Sequence, residues 1–400
     1  MSEPITYLEH WDRTDAFDPP AVLRKLSAEQ PLSRMVYPDG HVGWLATGID
    51  VVKQVLSNPA FSHNFHSAHF PLTKKGQPFP TMPIIPGLFI HMDPPGHTRY
   101  RAVLTGEFTT NRVAVLGERI EVAAVEQLTA LRGLGSPADL VAGYVQPLCR
   151  RVLNDLLGVP DEGGAILARL SETANDDAVP VEDEFAASSD AFLYLRDRVE
   201  KERADPGDSM IGRLTAVPGL TDQEITNMLL VVFAAGLTTC EGALAATSLA
   251  LLHHREQLEA FRAACANGAG VDNAVEELLR YTTVNQYLIF RTALTDVELG
   301  GHSIRAGDTV TISLPAANRD GSRFAHAELL DLSRDPSGHL AFGYGVHICL
   351  AQRLARRLLT VALRTLVTGL PGLALVVPIG EVRLRARTSV FSIHDLPVRW

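Results

Sequence analysis

One stretch of this 400-residue chain dictates how the rest must be arranged. Thr221-Asp222-Gln223-Glu224 is a helix start of the capping-box kind, in which the threonine hydroxyl and the glutamate carboxylate each satisfy a backbone N–H of the other residue. Ile225, Met228, Leu229, Val232 and Phe233 follow at helical spacing, and apolar residues continue on nearly all sides. A helix without a polar face has to be enclosed by other elements. The pattern therefore predicts a buried helix over about residues 221–252, running through the middle of the domain. Its most apolar run, residues 228–235, is too short to cross a bilayer.

The elements around it read as mainly α with a small β portion. Val42-Gly43-Trp44-Leu45-Ala46 is strand-like and residues 49–56 are helical, whereas residues 61–90 are rich in Pro, His and Phe and have little periodicity. An irregular loop that long in a compact domain is usually functional. Residues 297–301, 310–313 and 389–393 read as short strands. No Pro/Gly/Ser-rich linker, repeat or low-complexity tract divides the chain, so residues 1–400 are expected to form a single domain. A composition of 46% hydrophobic and 20% charged residues is that of an ordinary globular protein, and a formal charge of −10 argues against a nucleic-acid partner. Cys149, Cys240, Cys265 and Cys349 are far apart and form no CxxC pair, which suits a reducing compartment better than a disulfide scaffold or a zinc site. The first residues lack the charged and apolar regions of a signal peptide, so a cytoplasmic location and no membrane association are expected.

Chemistry concentrates at Phe342-Gly343-Tyr344-Gly345-Val346-His347-Ile348-Cys349-Leu350-Ala351, followed by the helical pattern Gln352-Arg353-Leu354-Ala355-Arg356-Arg357. Gly343 and Gly345 can take backbone angles closed to other residues and let the main chain approach a flat ligand, and the helix entrance supplies unpaired N–H groups beside the sulfur. Such a site favours a thiolate, which can serve as an axial iron ligand. Taken alone, a cysteine before a core helix reads as a packing residue; the whole run argues for a ligand.

This run resembles the haem-ligand loop of the cytochrome P450 enzymes, Phe-Gly-x-Gly-x-His-x-Cys-Leu-Gly, with Ala351 in place of the last glycine. Further segments match the same family in order along essentially the whole chain. The resemblance implies a single-domain P450 fold with the long central helix over a haem b group, Cys349 as iron ligand, and Phe342, Gly343 and Gly345 in the cofactor loop. Glu277 and Arg280, three apart on a helix, resemble the structural Glu-x-x-Arg pair. The family often adds an arginine from a following segment, where this chain has Leu329. His97 and Arg101 lie four apart on one helix face, a cation pair that calls for an anion between them; the family binds the haem propionates with residues matching His97, Arg101, Arg291 and His347.

Ala235-Gly236-Leu237-Thr238-Thr239 resembles the oxygen-binding motif Ala-Gly-x-Asp/Glu-Thr. Gly236 would leave room for O2 and Thr239 would donate a hydrogen bond to it or hold a water, although mid-helix threonines also bond back to carbonyls of the preceding turn. Thr238 replaces the acid, and Glu241, three residues on, points about 300° further around the helix. The substrate pocket implied by the resemblance takes in the 61–90 loop, Phe233, Leu237, and Asn285, Gln286 and Leu288 from the segment after the Glu-x-x-Arg helix. Asn285 and Gln286 could bind polar groups of a substrate.

The implied activity is that of a haem-thiolate monooxygenase using two external electrons to hydroxylate or epoxidise a small organic molecule, as in tailoring of bacterial secondary metabolites. With no flavin or nicotinamide fingerprint in the chain, the electrons are expected from a ferredoxin and an NAD(P)H-dependent ferredoxin reductase, docked near Arg353, Arg356 and Arg357, with the enzyme a monomer. Oxidative coupling or cyclisation without oxygen insertion is the alternative raised by Thr238. A non-catalytic gas sensor or carrier using the same thiolate belongs to another class.

Overall fold

A computed structural model describes residues 4–6, 16–79, 83–174, 178–287, 289–385 and 389–400. The central helix runs Asp222–His253, with Thr221 and Glu224 forming both halves of the capping box. Helices Gln146–Leu157, Asp161–Ala174, Val181–Ala204, Val271–Thr282 and Gln352–Gly369 all pack on it. This enclosure is why it needs no polar face. One sequence expectation is corrected here: by length and composition the whole 32-residue helix is long and apolar enough to cross a membrane. The eight-residue run alone did not convey this, and the helix instead forms the axis of the larger hydrophobic core.

The cap also ties the helix to the next layer. Glu224 accepts hydrogen bonds from Arg99 and from the Tyr100 hydroxyl, each at 2.6 Å, and from the Thr221 N–H at 2.8 Å. Burial works to raise its pKa, but these donors outweigh it and hold the carboxyl at about 2. A depressed carboxyl contributes stability that is full above its unfolded value of about 4.5 and is lost as pH falls through about 2. Glu224→Gln is therefore expected to lower the thermal midpoint at pH 7 by a few degrees, about 1 kcal/mol, and the gap from the parent should close between pH 4.5 and pH 2. Parallel melting curves across pH check this.

A smaller β region flanks the helices. Leu32–Val36 and Val42–Ala46 form an antiparallel hairpin; Thr309–Ile312 joins Val42–Ala46 in parallel, then Phe290–Ala293 and Phe61–Ser62 extend the sheet antiparallel. Phe290–Ala293 is buried along its length, so Arg291 is carried into the interior. The 61–90 loop contains only two-residue strands and short 3-10 turns among its described residues. Residues 389–393 make isolated bridges, Asn285 with Val390 and Leu384 with Ile393, in place of the expected strand.

Candidate active site

Cys349 sits where the β-side loop meets the helix Gln352–Gly369. Its N–H donates to the Phe342 carbonyl at 2.9 Å, closing the loop, and the Ala351 N–H points at its sulfur. Both loop glycines have φ of +74°. A Cβ on Gly345 would stand 2.2 Å from the Leu56 carbonyl oxygen, so this glycine is required by docking on the neighbouring helix; Gly343 has nothing within 4 Å of that position and is the one that leaves space. The expectation of a favoured thiolate is corrected in direction. Burial pushes the Cys349 thiol up, against the Ala351 N–H, Arg101 and Arg356, which pull it down. A bound metal cation would reverse that balance, because a coordinating thiol loses its proton outright.

Above the loop lies a cavity with about 1680 Å³ of space between atoms, part of it open to solvent. Its far wall is one face of the central helix: Val232, Ala235, Gly236, Thr239, Cys240 and Ala243. These positions recur every three or four residues, as one helix face must. Thr239 reaches the cavity and also bonds back, donating to Ala235 O at 2.7 Å. A Cβ on Gly236 would lie 3.2 Å from Leu153, so the glycine lets that side chain pack close as well as leaving the cavity wall low. Phe233 and Leu237, expected in the pocket, are buried and absent from this wall. Relative to Thr239 they point about 120° and 160° away around the helix, at steps of six and two residues. Asn285 does line the cavity, and its Oδ1 has no hydrogen-bond partner. Gln286 does not: its amide nitrogen donates to Thr283 O and its backbone N–H to Ser389 O. Leu288 lies outside the described residues.

One edge of the cavity is cationic. Among the described residues Arg101 donates only to Ile348 O, at 2.6 Å, and Arg291, 4% exposed, only to its own neighbour's carbonyl, Phe290 O, at 2.8 Å. Among the described residues neither forms an ion pair with a carboxylate. Burial holds Arg291 at about 10, with Asp93 the counteracting charge. His97 and His347 stand with ring centres 4.1 Å apart, and His63 stands 4.7 Å from His347. Both ring nitrogens of His63 and His97, and Nε2 of His347, are buried without hydrogen-bond partners among the described residues. Burial, and the nearby arginines after it, depress all three histidines. Two uncompensated guanidiniums and a set of orphaned ring nitrogens fit carboxylates of a bound group. His63 was missed in the sequence; its only signal was a histidine just after a strand in the 61–90 loop.

Glu277 and Arg280 are both wholly buried and doubly bonded, at 2.7 and 2.8 Å. The third member of the cluster is Arg334, whose Nε donates to Glu277 Oε1 at 3.1 Å. It comes from five residues beyond Leu329, which contributes its carbonyl to Arg280 at 3.2 Å. Of the arginines expected to dock a redox partner, Arg356 is bound to Glu276 and stacks over Phe342, Arg357 is bound to Glu121, and Arg353 is exposed.

A flat, iron-bearing macrocycle with carboxylate arms fits these features: a thiol on one wall, small residues and Thr239 on the other, and cations at one edge. Comparisons with known proteins agree. The family model "Cytochrome P450" matches residues 270–369. The chain is 34% identical to cytochrome P450 105C1 of a Streptomyces species, covering 100% of both chains, and 33% identical to 20-oxo-5-O-mycaminosyltylactone 23-monooxygenase of Streptomyces fradiae, covering 97% of this chain and 91% of that one. The crystal structure of CYP105P1 in complex with filipin I superposes with a TM-score of 0.92 at 33% identity, over 100% of this chain and 99% of that one. The chain belongs to the cytochrome P450 family and is an oxidoreductase of that family.

Proposed function

We propose that this protein is a haem-thiolate monooxygenase that hydroxylates or epoxidises a small, largely apolar molecule in the tailoring of a secondary metabolite. The observation that carries the reading is a single cavity with Cys349 on one wall, Thr239 on the opposite wall and uncompensated Arg101 and Arg291 at its edge. Cys349 would ligate the iron of haem b, and Arg101, Arg291, His63, His97 and His347 would hold the propionates. When bound, the haem supplies the redox chemistry by which O2 is split. The chain's own part is positional. Apolar walls such as Val232, Ala243 and Ile289 exclude water from the reacting centre, Gly236 keeps the helix wall low, and the Thr239 hydroxyl can turn from Ala235 O toward the cavity to donate a hydrogen bond. Asn285 Oδ1, buried and unpartnered, selects for a substrate that presents a hydroxyl or N–H there.

Likeness to the Streptomyces fradiae monooxygenase supports tailoring as the role. Electrons are proposed to come from a ferredoxin and its NAD(P)H-dependent reductase. With Arg356 and Arg357 engaged in ion pairs, Arg353 is the freest cation of the expected docking face. A cytoplasmic monomer is proposed. The test is turnover of candidate substrates under ¹⁸O₂: incorporation of one labelled atom into product supports the reading, and coupled product without label replaces it with oxidative coupling.

A further inference from the structure

Behind the central helix, on the side away from the proposed haem cavity, lies a second, smaller pocket that the reading above does not use. Leu237, Thr238, Glu241 and Gly242 line it from the central helix, Gln146 from the helix before it in the core, Ser171 and Glu172 from Asp161–Ala174, and Arg385 and Ser392 from the C-terminal segment. Thr238 and Glu241 therefore share one wall: 300° in one direction is 60° in the other. Thr238 faces the rear pocket while its neighbour Thr239 faces the haem cavity, so adjacent hydroxyls serve the two spaces. Gly242 has no side chain to fill the rear pocket, and a Cβ there would meet the Phe391 carbonyl at 2.4 Å.

Glu241 forms no hydrogen bond or ion pair with another described residue, although it is half-buried. Burial without a hydrogen-bond donor favours the protonated form of such a carboxyl. The charged groups facing it are Glu172, Arg385 and Arg150, with the thiols of Cys149 and Cys240 close by. Burial first, and Glu172 after it, push Glu241 up to about 7, while Arg385 and Arg150 pull it back. It can thus both hold and release a proton near neutrality.

We propose that Glu241 is the proton reservoir of this enzyme, standing about one turn from the motif position where Thr238 replaces the acid and delivering protons past Thr238 to Thr239. The inference rests on the monooxygenase reading, in which substrate, O2, two external electrons and two protons give oxygenated product and water. In each delivery the Glu241 O–H bond breaks and its proton passes to a water at the Thr238 hydroxyl. That hydroxyl gives its own proton onward to the Thr239 side as it receives one. The Glu241 carboxylate then regains a proton from pocket water, which reaches solvent at the exposed Glu172.

The test uses the haem-loaded protein and its Glu241→Gln and Glu241→Asp variants. Infrared difference spectra between pH 5.5 and pH 8.5 should show a protonated-carboxyl band that titrates near pH 7 in the parent and is missing in Glu241→Gln. Oxygen consumption driven by NADPH through a surrogate ferredoxin and reductase should fall about tenfold or more in Glu241→Gln, lose its inflection near pH 7, and be largely restored in Glu241→Asp; a tenfold loss corresponds to about 1.4 kcal/mol. An unchanged infrared band or an unchanged pH profile in Glu241→Gln, with the carbon monoxide band of the thiolate-ligated haem intact, would overturn the proposal alone. Absence of that band in the parent would overturn the haem reading and this proposal with it.

Discussion

Cys349→Ala is expected to abolish the absorption band near about 450 nm that thiolate-ligated haem gives in dithionite-reduced protein under carbon monoxide, while Cys240→Ala keeps it. The comparison is decisive because both cysteines line the same cavity. Cys240 projects from the central helix, where burial pushes its thiol up to about 12, and no N–H donor or cation is found to offset that. Cys349 receives the Ala351 N–H and lies near Arg101 and Arg356, all of which favour its charged form. Removing the sulfur leaves the cationic edge in place, since Arg101, Arg291 and the histidines do not depend on it for hydrogen bonds. Haem is thus expected to remain bound to a measurable extent in Cys349→Ala, with its band near about 420 nm or shifted toward it. A band near about 450 nm surviving in Cys349→Ala and vanishing in Cys240→Ala would transfer the ligand assignment to the helix wall.

Much of this arrangement was legible in the chain because it is local. The capping box at Thr221 and Glu224, the enclosed helix behind it, and the Phe342 to Ala351 loop each follow from neighbours within a few residues. Where the reading failed, phase or long-range burial decided. Naming Thr239 as a cavity residue already centred the helix face: at about 100° per residue Val232, Ala235, Gly236, Cys240 and Ala243 all fall within about 100° of it, whereas Phe233 and Leu237 fall about 120° and 160° away. The same arithmetic puts Glu241 beside Thr238, where the angle had made it look remote. For Arg291 the resemblance alone implied a role at the cofactor; its inward turn comes from the sheet register, which sets it opposite Val310 in a fully buried strand. His63 and Arg334 carry no local pattern at all. Each is brought to its partners by the closing of a loop, so a search at the family's usual arginine position found Leu329 instead.

The buried ion cluster beneath the cysteine loop should prove the most fragile polar feature of the fold. Glu277→Ala is expected to destabilise the protein by about 3–5 kcal/mol, a large share of a typical domain's stability, because it strands two guanidiniums in the interior. Arg280 loses both its carboxylate bonds, and Arg334 loses the bond at 3.1 Å. Damage should also reach the cofactor site, because Arg280 holds the carbonyls of Asn318 and Ala327 at 2.8 and 2.9 Å. Asn318 in turn receives the Leu340 N–H at 2.6 Å, two residues before Phe342, whose carbonyl holds Cys349. The expected result is a lower urea midpoint together with a lower fraction of haem-loaded protein. Combining Glu277→Leu with Arg280→Met is not expected to restore the parent, although apolar substitutes often do for isolated buried pairs. Here the Asn318 carbonyl would lose its donor, the Ala327 carbonyl would keep only Arg319 at 3.2 Å, and Arg334 would be without its carboxylate. Equal urea midpoints for the parent and Glu277→Ala would show that the cluster adds nothing to stability, and full recovery in the double substitution would show that its role ends with charge balance.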